Sequence, residues 1–172
     1  MRHQQAGRAM NGMAWRGEFP GDLAHLGDVR RLTKALLQDS QVRDDAIMCL
    51  MELAANAVLH TRSADGVFTV GIWSAGDAVV RVAVQDAGGW DEPVVRSGQE
   101  DLAESGRGLA IVIALAERLG VAGDEDGRVV WADLSCDQGG PSPWDGVPLL
   151  EPTCAQCRPM AGPKMIYTTV SN

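Results

Sequence analysis

RDDAIMCLMELAANAVLHT, residues 43–61, carries apolar side chains at helical spacing, with Ala46, Ile47, Leu50, Leu53, Ala54, Ala57 and Val58 forming one broad face. Asp44 and Asp45 fall in its first turn, where the helix dipole favours negative charge, so the pattern predicts a helix over 43–60. Glu52 and Asn56 interrupt the apolar run four residues apart, which sets both side chains on one face, one turn from each other. His60 continues the row. A buried carboxylate without a partner is costly, so this pair must meet a partner, a ligand or water. A carboxamide oxygen suits Mg²⁺, and a carboxylate one turn away can orient or deprotonate a nucleophile. The plainer reading of the pair alone is a polar edge on a half-buried helix.

Working upstream, Leu23, Leu26, Val29, Leu32, Leu36 and Leu37 recur at helical spacing over 22–38, opposite Arg30, Arg31 and Lys34. Before this amphipathic helix come a short strand over 13–19 and the turn Pro20-Gly21-Asp22. Downstream, the turn at 63–66 leads into a strand over 67–73; Gly76-Asp77 then reverses the chain into a strand over 78–85 with Val80, Val82 and Val84 on one side. Residues 86–105 are rich in glycine and acidic residues without sustained period, which predicts a long loop. A helix over 108–119, an extended piece at Val121, a Gly-Asp-Glu-Asp-Gly turn and a strand over 128–134 complete the pattern. That order predicts an α+β two-layer sandwich, a mixed, mostly antiparallel sheet with helices on one face.

The ends differ in character. Residues 1–12 are polar and irregular, a leader to a domain over 13–135, and residues 136–172 gather six prolines among glycines with little periodicity. The expected flexible tail has Trp144, Leu149 and Leu150 as the side chains able to tack it to the domain. A length of 172 residues, 45% hydrophobic and 22% charged, fits one soluble globular domain. The net charge of −8 leaves no broad basic face for a nucleic acid or an anionic membrane. No stretch reaches the roughly 20 apolar residues of a membrane helix, and the N-terminus lacks the apolar middle of a secretion signal; the expected compartment is the cytoplasm. Cysteine usage agrees: Cys49 sits in an apolar helical pattern, Cys136 follows the last strand, and Cys154-x-x-Cys157 has no histidine after His60 with which to build a zinc site, which favours reduced thiols.

Two further fragments carry chemistry. Asp86-Ala87-Gly88-Gly89 sets a carboxylate at a strand end, able to accept from an exocyclic amine, beside backbone that a ligand can approach; taken alone, the fragment is better read as an Asp-Gly turn. Gly106-Arg107-Gly108 opens a helix, where free N–H groups and a positive dipole end attract phosphate, although most such sequences are only flexible helix entries. Their order has more weight than any one of them.

ELAANAVLHT (52–61), DAGGW (86–90), ESGRGLAIVIALAERLG (104–120) and GRVVWADL (127–134) together resemble the N, G1 and G2 boxes and closing strand of the GHKL, or Bergerat-fold, ATPases. That superfamily includes gyrase, the ninety-kilodalton heat-shock chaperone, histidine kinases and mismatch-repair ATPases. More closely, the chain resembles the small stand-alone anti-sigma factor serine kinases of bacterial partner-switching systems, common in actinobacteria. The resemblance spans residues 13–134 and neither tail.

The resemblance implies ATP and Mg²⁺ as cofactors. By it, Asn56 would coordinate Mg²⁺, Glu52 would act as general base, and Asp86 would hold the adenine amine with Gly88 giving the base room. Gly106, Arg107, Gly108 and Leu109 would border the phosphates, with residues 89–105 as an ATP lid. It further implies transcriptional control through a partner resembling an anti-sigma antagonist, phosphorylated on serine or threonine, and through a sigma factor, and it allows a homodimer through a sheet edge or the first helix.

The sequence departs from the family pattern where Val129 stands in place of a common threonine that reaches adenine through water, and where DAGGWDEP lacks the full D-x-G-x-G. Two functions therefore stand side by side: a protein serine/threonine kinase, for which the retained Glu52 supplies a proton acceptor, and a non-catalytic interaction module that ATP only stabilises. A histidine kinase lacks its upstream phosphoacceptor hairpin here, and the Pro-rich end cannot form the transducer domain of a gyrase-like enzyme.

Overall fold

Valines alternating along one strand and an apolar helix laid across them account for most of the architecture. A computed structural model of the chain describes residues 12–89, 107–136, 143–144 and 168–169. Strand β1 (Gly12–Pro20) is followed by a single 3₁₀ turn at Leu23–His25, helix α1 (Leu26–Leu36), helix α2 (Arg43–His60), a second 3₁₀ turn (Arg62–Asp65), and strands β2 (Val67–Ala75) and β3 (Val79–Asp86). Helix α3 (Arg107–Leu115) leads into β4 (Arg118–Asp124), β5 (Gly127–Ser135) and the two-residue β6 (Thr168–Thr169). The sheet runs β1-β2-β3-β5-β4-β6. Every pairing among the described residues is antiparallel, so the sheet lacks the parallel element of the mixed arrangement that the sequence had suggested.

Period two divides the sheet into two faces. Phe19, Phe68, Val70, Ile72, Val80, Val82, Val84, Ala132 and Leu134 point into one core with the buried side of α2, including Cys49, Leu50, Leu53 and Ala57, and with Val29 and Val112 from the flanking helices. The expected two-layer α+β sandwich, with its helices packed on this face, is what the chain forms. α2 spans the interval that its spacing predicts.

Three local departures have physical causes. The predicted helix over 22–38 opens with a 3₁₀ turn, because the Asp22 side chain accepts from Ala24 N–H at 2.9 Å and caps the chain one turn early. The helix predicted to reach Leu119 ends at Leu115. Ala116 N–H makes the last helical bond, to Val112 O at 2.8 Å, and Glu117 N–H already donates to Asp133 O of β5 at 2.8 Å. Leu119 is buried in either conformation, as a helical i+7 residue or as the strand partner of Ala132, so apolar spacing could not distinguish them. Finally, the face away from the helices is not a solvated one. Ala83, Val129 and Trp131 pack there with Trp73, and Arg81 makes a two-pronged ion pair with Asp133 at 2.6 and 2.8 Å, both residues buried. The Arg81 guanidinium lies 4.4 Å from the Trp131 ring centre and 5.7 Å from that of Trp144, which is itself buried. Trp144 thus does tack its segment to the domain; Leu149 and Leu150, the leader residues 1–11 and the Cys154–Cys157 pair lie outside the described residues. No helix among the described residues is long and apolar enough to cross a membrane.

Candidate functional site

Asp86 and Gly88 lie where β3 stops, beside the end of α2, and Glu52 lies further back on α2 against the start of α3. α2 lies across the sheet with its apolar side down, which leaves Glu52 and Asn56 half-buried on the flank that meets α3. A Cβ at Gly108 would stand 3.4 Å from Cδ of Glu52 and far inside van der Waals contact with its Oε2. The glycine therefore lets the first turn of α3 close on the Glu52 carboxylate. A negative group at a helix N-terminus is favoured by the dipole, and the same seat suits phosphate oxygens.

Asp86 ends β3 on the helix side and is buried. Its Oδ1 accepts from Gly88 N–H at 2.7 Å, an Asx turn that leaves the second oxygen with acceptor capacity. Burial pushes this carboxyl above its ordinary 3.8, against the opposing pull of the Gly88 N–H and the Arg128 charge.

Gly88 has a different task from the one expected. Its φ is +72°, and a Cβ there would run into the backbone carbonyl of Glu125, with the carbonyl carbon only 2.5 Å away. It seats the β4–β5 turn against the end of β3, whereas the sequence had suggested that it makes room for a base.

A set of ties that no motif announced holds this corner. Thr61 Oγ1 donates to Ala57 O at 2.5 Å and accepts from Ser63 N–H at 3.1 Å, which closes α2. Ser63 Oγ accepts from Ala87 N–H at 2.9 Å, and Arg62 N–H donates to Gly88 O at 2.9 Å. The Arg62 side chain reaches Glu125 O and lies 3.7 Å from the Asp126 carboxylate. The end of α2, the Asp86–Gly88 segment and the β4–β5 turn are thereby one hydrogen-bonded unit. The signal was available: Thr61 and Ser63 follow directly on the helix that carries Glu52 and Asn56.

The expected loss of a contact at Val129 is corrected by the register. Val129 pairs with Gln85 and packs with Ala83 and Trp131 on the opposite face, so no side chain at 129 reaches this site. The residue that faces Asp86 across the strand pair is Arg128, buried, with a guanidinium nitrogen 3.5 Å from Gly89 O. Strand alternation could have found it, since 128 shares its side with Val130, Ala132 and Leu134.

Of the remaining candidates, Arg107 begins α3 and Leu109 packs against the main core. Gly106 and residues 90–105 of the expected lid lie outside the described residues, while Gly89 is buried against His60 and Thr61.

The residues present fit a nucleoside triphosphate with a divalent cation. The acceptor at Asp86 suits an exocyclic amine, the Asn56 amide oxygen suits a hard cation, and the Cβ-free turn at Gly108 suits a phosphate. Among the described residues no group of histidine, cysteine and carboxylates is placed to hold a metal by itself.

A family model described as a histidine kinase-like ATPase domain matches residues 19–134, the whole of the sheet-and-helix unit from the end of β1 to β5. No curated protein matches the chain.

Proposed function

Because this chain belongs to the histidine kinase-like ATPase domain family, we propose that it binds ATP with Mg²⁺ and acts as a protein serine/threonine kinase of the anti-sigma factor type. The observation that carries the reading is the seat of Glu52, a carboxylate one turn before Asn56 with its oxygen against the Cβ-free first turn of α3 at Gly108. A nucleotide-binding scaffold has no use for a proton acceptor at the phosphate end of its pocket; a phosphoryl transferase does.

When bound, Mg²⁺–ATP supplies the transferable phosphoryl group. Asn56 would hold the cation through its amide oxygen, Asp86 the amine of the base, and the N-terminal turn of α3 the phosphates. Glu52 would orient the hydroxyl of the attacking serine or threonine and take its proton. The nucleophile then belongs to a protein partner, for which the resemblance points to an anti-sigma-antagonist-like protein, with a sigma factor as the regulated target.

Calorimetry with Mg²⁺–ATP on the wild type, Asn56→Ala and Glu52→Ala tests this, followed by phosphate transfer to the candidate partner. Wild type is expected to bind, Asn56→Ala to bind about tenfold or more weakly, and Glu52→Ala to bind but not transfer. Binding without transfer in the wild type would favour the module that ATP only stabilises. That second reading has lost one support, since Val129 lies on the other face of the sheet.

A further inference from the structure

The base end of the site holds two charged groups of opposite sign. Asp86 and Arg128 are register partners on β3 and β5, both buried and both on the helix side of the sheet. Directly opposed residues of an antiparallel pair hold their Cβ atoms about 5 Å apart. Asp86 offers an acceptor oxygen beyond the one used by Gly88 N–H, and across the strand pair Arg128 carries a guanidinium of five N–H groups, one nitrogen of which lies 3.5 Å from Gly89 O.

We propose that Arg128 is a base-reading residue, and that it and Asp86 together recognise an amine donor beside a ring-nitrogen acceptor, the pattern that adenine presents at N6 and N1. Asp86 accepts from the amine and Arg128 donates to N1. This rests on the ATP site proposed above and adds to it the source of its base selectivity. Hypoxanthine, with a carbonyl and an N–H at these positions, would set donor against donor and acceptor against acceptor. A site whose buried polar groups are made for particular partners rejects the ligand that leaves them unpaired. The 3.5 Å approach of Arg128 to Gly89 O steadies the guanidinium at this corner.

The test is a binding cycle by calorimetry with Mg²⁺–ATP and with Mg²⁺–1-deaza-ATP, in which N1 is replaced by C–H, on the wild type and on Arg128→Met. Wild type is expected to prefer ATP by about 10- to 100-fold, the range of one charge-assisted hydrogen bond. Arg128→Met should bind ATP more weakly by a similar factor and distinguish the two nucleotides by less than about threefold. Equal binding of the two nucleotides by the wild type overturns the proposal, whether or not the variant folds. So does an Arg128→Met protein that binds ATP as well as or better than wild type, because the guanidinium would then obstruct the base. A wild type that binds neither nucleotide removes the ATP reading itself and this inference with it, an outcome distinct from binding without discrimination.

Discussion

Replacing Gly108 by alanine should stabilise the fold and cripple the chemistry, two effects of opposite sign from one methyl group. Gly108 is the second residue of α3, and its backbone is helical, so alanine lowers the entropy of the unfolded chain without strain and contributes up to about 1 kcal/mol. For a chain of this size that raises Tm by about 2–4 °C. The new Cβ meets the Glu52 carboxylate, whose Cδ lies 3.4 Å away and whose Cβ lies 3.7 Å away. The carboxylate is the free end of a flexible side chain, so it yields at little cost in stability, and it yields by about 1 Å, a displacement that can lower turnover about 100-fold.

The assay pairs a thermal melt with phosphoryl transfer or, if no partner is in hand, ATP hydrolysis. Glu52→Asp, shorter by one methylene, should recover part of the activity in the Gly108→Ala background, and Glu52→Ala should make Gly108→Ala silent for turnover. Unchanged turnover in Gly108→Ala would refute the reasoning, since the carboxylate would then be indifferent to where α3 begins. A lower Tm would refute the other half, because it would mean that the methyl meets something less compliant than a carboxylate.

Asp86 gives a pH prediction. Its folded value is raised by burial above 3.8, so its contribution to stability is fully present below that value and is lost as pH rises through the folded one. Affinity for ATP should run the other way, rising with pH through the same raised value as the acceptor ionises. Calorimetry between about pH 4 and pH 8 should show this dependence in the wild type, and in Asp86→Asn only the part that comes from titration of the nucleotide's own phosphate at about pH 6. On the opposite face, Arg81→Ala should cost about 3–5 kcal/mol by urea unfolding, because it strands the buried Asp133 carboxylate, while Arg81→Met with Asp133→Leu should come near the wild type. Trp144→Ala should lower the midpoint as well, which a tail without contact with the domain could not do.

What could be read in advance follows from how local each signal is. α2 was legible end to end, because its face is set by residues within the helix and its acidic first turn marks the start. The β2–β3 hairpin was legible for a similar reason, with a β-rich apolar run before a Gly-Asp turn and valines alternating after it. The end of α3 was not, because Leu119 satisfies the core from either a helix or a strand, and the choice lies with the bonds that β5 offers. The Arg81–Asp133 pair was invisible because its members are 52 residues apart and charged residues in a strand read as solvent-facing until something covers them. In the candidate site, type and spacing single out Glu52, Asn56 and Asp86. At Gly88 a Cβ would meet the β4–β5 turn at Glu125, a contact from far along the chain that no local pattern announces, and Arg128 belongs to none of the N, G1 and G2 boxes, its position across from Asp86 being set by the β3–β5 register.

The two ends of the site differ in how they are held, and that difference bears on what each can do. The base end is built from the last residue of β3, the first turn after α2 and the β4–β5 turn, joined by Ser63 Oγ, Arg62 N–H and the Arg62 side chain. These three segments hold the surroundings of Asp86 in place, so the recognition of a base there would cost little ordering. Among the described residues, the phosphate end is held by fewer contacts. Glu52 rests against Gly108 by close approach, and a carboxylate in van der Waals contact can swing where a bonded one cannot. A fixed base end and a yielding phosphate end would divide the labour of the proposed phosphoryl transferase: one would anchor a base whose identity never changes, while the other would accommodate a triphosphate before transfer and a diphosphate after it.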